Sequence, residues 1–184
     1  SREDAAAQLG IDPNKKTILL MGGSMGHADH VKNIESLSQI GTPFQFLVVC
    51  GNNKKMLYHV EQFASHYQGS CKIYPYGFVH NVEVMMSASD CIVSKPGGLT
   101  STEAAVANIP LVHLLAYTGC ETKNIEFFSE RGISLRAGNV KDAVHCAWNL
   151  IDDKSLADSM REMQRKYIAP DAADRIVSKV ISYV

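Results

Sequence analysis

The residues best suited to chemistry lie in one stretch, Ser94-Lys95-Pro96-Gly97-Gly98-Leu99-Thr100-Ser101-Thr102-Glu103. Two consecutive glycines let a ligand come close to the backbone. A helix opening directly after them would aim free N–H groups and its positive dipole end at that ligand, which suits a phosphate. A second reading stands beside it. Thr100-Ser101-Thr102-Glu103 also has the form of a capping box, with Glu103 reaching back to the helix's own first N–H, and the Pro-Gly-Gly turn is then only a connection.

Other polar and glycine-rich segments repeat the pattern. Met21-Gly22-Gly23-Ser24-Met25-Gly26 follows an apolar run, Gly77-Phe78-Val79 follows another, and Gly119-Cys120-Glu121-Thr122-Lys123-Asn124 is a polar loop before a helix. His27 and His30 come just after the first of these turns, where a solvated helix start accounts for them as well as a base would. His80 and His113 read as packing or local hydrogen-bonding residues, and Lys95 either adds charge near an anion or points away from it.

These segments need elements to hold them. Thr17–Met21, Phe44–Cys50, Lys72–Phe78, Asp90–Val93, Leu111–Leu115 and Ile133–Leu135 read as strands, several of them continuous apolar runs of the kind buried on both faces of a parallel sheet. Helical patterns fall at about 1–9, 28–39, 54–67, 82–87, after Gly98, at 124–130, 140–150, 155–167 and 172–183, and the apolar stripe Trp148-Leu150-Ile151 reads as core. Strand and helix alternate about six times. This predicts an α/β fold, a doubly wound, parallel, six-stranded sheet with helices on both faces, built as a single domain over 1–184. In such a sheet the ligand sits outside the carboxyl ends of the strands, where all the glycine-rich turns fall.

Composition removes several function classes. Lys plus Arg number 18 against 19 Asp plus Glu, so no basic surface for nucleic acid is indicated. The cysteines, Cys50, Cys71, Cys91, Cys120 and Cys146, are odd in number and have no zinc-like spacing, which fits a reducing compartment. No run reaches the roughly 20 apolar residues of a membrane span. The first turn lacks the Gly-x-Gly-x-x-Gly spacing, the second strand ends without a ribose-binding acid, and no Gly-Lys-Ser/Thr follows a glycine loop, so NAD and ATP are disfavoured.

Met21-Gly22-Gly23-Ser24, Gly77-Phe78-Val79 with Met85-Met86 and Ser89-Asp90, Ser94 to Thr100 with Glu103-Ala104 and Pro110, and Gly119 to Asn124 together resemble the nucleotide-sugar-binding, C-terminal half of two-domain GT-B glycosyltransferases. The family includes monogalactosyldiacylglycerol synthase, processive diacylglycerol glucosyltransferase and the lipid II N-acetylglucosaminyltransferase. The Lys-Pro-Gly-Gly-Leu-Thr run and the later Glu-x-x-Asn look closer to the glycolipid enzymes.

The resemblance implies a UDP-sugar as substrate, with no cofactor and no metal. Main-chain groups of Phe78 and Val79 would read uracil, and Glu103 would accept the ribose hydroxyls. Gly97, Gly98, Leu99 and Thr100, with Gly23 and Ser24, would hold the diphosphate, and Glu121 and Asn124 would contact the sugar. Cys120 stands where related sequences often carry Gln. The reaction implied is hexose transfer to a lipid hydroxyl, diacylglycerol being the expected acceptor. The catalytic base and acceptor groove are expected in an N-terminal domain outside these 184 residues, so the chain alone would bind donor without turnover. A cytoplasmic location is implied, with peripheral membrane contact in the full-length protein. An epimerase acting on UDP-N-acetylglucosamine and a non-catalytic nucleotide-sugar-binding module are the alternatives.

Overall fold

A computed structural model describes residues 1–22, 30–115 and 119–183. Six strands form one all-parallel sheet: β1 (Thr17–Met21), β2 (Gln45–Val49), β3 (Lys72–Tyr76), β4 (Cys91–Ser94), β5 (Leu111–His113) and β6 (Leu135–Arg136). They lie in the order β3-β2-β1-β4-β5-β6. The order reverses between β1 and β4, the switch point beside which doubly wound sheets bind ligands. The fold is therefore the predicted Rossmann-like α/β architecture. Every residue of β1, β2, β4 and β5 is buried, while the edge strands β3 and β6 are partly exposed, as the continuous apolar runs of the four central strands require.

The helices are α1 (Arg2–Leu9), α2 (His30–Ser38), α3 (Lys54–His66), α4 (Val82–Ser87), α5 (Gly98–Val106), α6 (Gly119–Glu130), α7 (Val140–Asp152), α8 (Lys154–Tyr167) and α9 (Ala172–Ile181). Right-handed crossovers put the helices after β1 and β2 on one face and those after β3, β4 and β5 on the other. The last strand is followed by α7, which returns to the first face, against α2 and against β4, β5 and β6. Local chemistry marks several ends. Ser1 and Asp4 form a capping box on α1, and Gly10 closes it in the left-handed conformation at φ 66°. Asn108 takes φ 59° after α5 and is tied through its side chain to the Arg161 carbonyl and to Arg165. Trp148 packs edge-on against Phe44, placing the predicted stripe in the core.

The register aligns the functional edge. Tyr76, Val49, Met21, Ser94, His113 and Arg136 stand side by side across the sheet. The segments that leave this row therefore emerge on one edge: Gly77-Phe78, Gly22, Lys95-Pro96 and Leu114. No helix among the described residues is long and apolar enough to cross a membrane.

Candidate functional site

The centre of the edge is the turn from β4 into α5. Gly97 is the N-cap, extended at φ −73°, and no side chain caps the helix. This overturns the capping-box reading. The helix begins at Gly98, not after Thr100, so Glu103 lies in its second turn, beyond reach of the first N–H groups. It is exposed, on the same outward face as Leu99 four residues earlier. The Gly97 N–H donates to the Lys95 carbonyl at 2.8 Å, and the Ser101 N–H returns to the Gly97 carbonyl. The N–H groups of Gly98, Leu99 and Thr100 have no carbonyl within the helix to bond. Three donors at the positive end of a helix can bind an anion, each charge there being stabilised by roughly 0.3–1 kcal/mol.

The start of α6 stands against this turn. The sequence predicts a loop to Asn124, but the helix begins at Gly119, because nothing in 119–124 breaks it and Glu121 favours its first turn. Glu121 and Asn124 thus fall three residues apart on one face. Asn124 Nδ2 donates to the Pro96 carbonyl at 2.8 Å and lies 3.8 Å from where a Gly98 side chain would begin. Lys95 Nζ pairs with Glu121 Oε1 at 3.3 Å, in a part-buried setting. The structure brings Lys95, Gly97, Gly98, Leu99, Thr100, Glu121 and Asn124 into one cluster.

His113 supports the cluster from below. It is fully buried, with Nε2 at 2.8 Å from Ser101 Oγ and Nδ1 at 3.1 Å from Ser134 Oγ, and its ring meets Phe128 edge-on. Burial pushes its pKa down to about 4, so it is neutral at pH 7 and bridges α5, β5, α6 and the approach to β6. A polar residue ending a buried strand, twelve residues after a serine on a helix, was the available signal for this bridge.

Other sequence-predicted residues stand apart. Phe78 is exposed and Val79 half-buried just after β3, with Phe78 edge-on to His80. Among the described residues their main-chain groups make no backbone hydrogen bonds outside regular elements. Three strand spacings, about 14 Å, separate the end of β3 from β4, and no hydrogen bond, ion pair or ring contact among the described residues joins the two corners. His30 is buried, contrary to a solvated helix start, because it falls on the inward face of α2 with Asn33, Ile34 and Leu37. Gly23, Ser24 and His27 lie outside the described residues. No disulfide joins the cysteines, and Cys120 is exposed at the start of α6. Ser89-Asp90 is not at this edge: Asp90 accepts from Arg2 and from the Thr17 N–H at the amino end of the sheet.

Comparison with known proteins agrees with this fold. The chain is 25% identical over 174 residues to processive diacylglycerol beta-glucosyltransferase of Bacillus pumilus (strain SAFR-032), covering 95% of this chain and 45% of that one. It therefore spans less than half the length of that relative. Among solved structures, MurG of Acinetobacter baumannii matches at TM-score 0.75 with 20% identity, over 98% of this chain and 53% of that one. A co-structure of S. aureus MnaA with UDP matches at TM-score 0.69 with 19% identity, over 98% and 48%. The family of glycosyl transferases group 1 matches residues 1–167, and the chain belongs to it.

Proposed function

We propose that this chain is the donor-binding half of a glycosyltransferase and takes a UDP-hexose at the carboxyl edge of its sheet. The observation that carries the reading is the uncapped start of α5, three N–H donors behind Gly97 with Glu121 and Asn124 beside them. The diphosphate would lie on the N–H groups of Gly98, Leu99 and Thr100, with Gly23 and Ser24, which follow β1 in the chain, adding donors. The ribose diol would donate to Glu103, uracil would meet the main chain of Phe78 and Val79, and the hexose would meet Glu121 and Asn124. Transfer breaks the bond between the anomeric carbon and the diphosphate oxygen as the acceptor oxygen bonds to that carbon. The acceptor's proton leaves to a base outside this chain, and the charge gathering on UDP falls on the α5 amides. The B. pumilus relative supports a diacylglycerol acceptor. Cysteines outside disulfides support a cytoplasmic site of action, and a lipid acceptor would bring peripheral contact at the membrane face. Neither a metal nor a cofactor enters this scheme, and the isolated chain binds donor without transferring sugar.

Titration with UDP, UMP and ADP tests it. UDP is expected to bind at micromolar to low millimolar strength, roughly −8 to −4 kcal/mol, with ADP much weaker. Glu103→Gln should weaken UDP about tenfold with little change in melting temperature, since no capping bond is lost. Equal binding of UDP and ADP would remove the uracil corner, and an unchanged affinity in Glu103→Gln would remove the ribose contact.

A further inference from the structure

The family reading leaves the role of Lys95 unassigned, and the structure places it with some definition. It follows β4 directly, at the switch point, and its ammonium pairs with Glu121 in the first turn of α6. The neighbouring residue Pro96 receives Asn124 from the same helix face. Adjacent residues of the turn are thus gripped by two residues one helical turn apart. A carboxylate accepts from several donors at once, so the Lys95 ion pair and a sugar hydroxyl are compatible on one side chain. Without the cation beside it, this carboxylate would lose a charge-assisted contact that orients it.

We propose that Lys95 is a positioning residue for the donor sugar: it holds Glu121 aimed at the hexose, and it does not bind the diphosphate. This rests on the donor-site reading above. Its consequence is a split between two ligands that share the same nucleotide. The chain is titrated with UDP, UDP-glucose and UDP-galactose in wild-type, Lys95→Met, Lys95→Arg and Glu121→Gln forms. In the wild type one UDP-hexose binds more tightly than UDP. Lys95→Met is expected to cut that preference about tenfold while UDP stays within twofold. Lys95→Arg, which keeps the charge, restores most of it, and Glu121→Gln matches Lys95→Met, with the double variant no worse than either. Equal weakening of UDP and UDP-hexose by Lys95→Met would overturn the proposal and assign Lys95 to the diphosphate. A wild type that does not prefer either sugar nucleotide over UDP would overturn it as well, and one that fails to bind UDP would overturn the donor-site reading itself.

Discussion

The two ends of β4 are built on opposite plans. At its amino end Asp90 is saturated: one oxygen accepts from Arg2 at 2.9 Å and from the Thr17 N–H at 2.8 Å, and the other faces Lys16 at 3.4 Å. Arg2 also donates to the carbonyls of Pro13 and Lys15, so α1 is clasped to the sheet. At the carboxyl end the chain passes through two glycines into an uncapped helix, and three N–H groups are left without a helical partner. Both ends carry residues that the sequence reading grouped in one motif set. What separates them is satisfaction: a closed hydrogen-bond set holds the fold, and an open set of donors beside small residues can receive a ligand.

Acid should take these ends apart in sequence. The ordinary His pKa is 6.5 and burial lowers that of His113 to about 4 in the folded chain. The unfolded chain therefore takes up the proton first, so stability is full above about pH 6.5 and falls as pH drops toward 4, by about 3 kcal/mol. Burial alone would raise the Asp90 carboxyl, but hydrogen bonds from Arg2 and the Thr17 N–H and the charges of Arg2 and Lys16 outweigh it, leaving it below its ordinary 3.8. The stability it contributes is present above 3.8 and lost only below, as pH falls through the depressed value. Denaturant unfolding from pH 7 to 3 should show the first loss between 6.5 and 4, and His113→Gln should flatten that limb alone. A limb unchanged in His113→Gln would mean another group supplies it.

Asp90→Ala tests the other end directly. It strands the Arg2 guanidinium and the Thr17 N–H in a part-buried site and should cost about 2–3 kcal/mol, somewhat less than removal of one partner of a fully buried pair. UDP affinity should stay within twofold, because the ligand edge lies a strand's length away. A large loss of UDP binding in a folded Asp90→Ala chain would erase the contrast between the two ends.

The contrast was only partly legible in the sequence. Alternating apolar runs and helical patterns were enough for a six-stranded doubly wound sheet, because burial on both faces leaves a continuous apolar signature in β1, β2 and β4. The start of α5 stayed open between two readings because Ser/Thr three residues before Glu is a strong textual signal, whereas a glycine N-cap carries no side chain to announce it. The α6 boundary slipped for a related reason: Gly119 to Asn124 is polar, and polarity alone does not separate a loop from an exposed first turn. The pairs that define each end, Arg2 with Asp90 and Lys95 with Glu121, join residues far apart in the chain. Only the strand order makes them neighbours.

The smallest effect is the most discriminating. Gly97 sits at φ −73°, ψ 136°, which alanine adopts freely, and a side-chain carbon built there meets nothing within 4 Å. Its N–H bond to the Lys95 carbonyl survives the change. Gly97→Ala should therefore fold normally and gain about 0.4–1 kcal/mol by narrowing the unfolded ensemble. If the diphosphate lies against this turn, the added methyl meets it, and UDP affinity should drop about tenfold, or about 1.4 kcal/mol. Stability and binding then move in opposite directions in one variant, which a misfolded or loosened turn cannot imitate. A Gly97→Ala chain that is more stable and binds UDP as before would show that the space beside Gly97 is not where the ligand approaches, and the anion site would have to move along the edge toward Gly22.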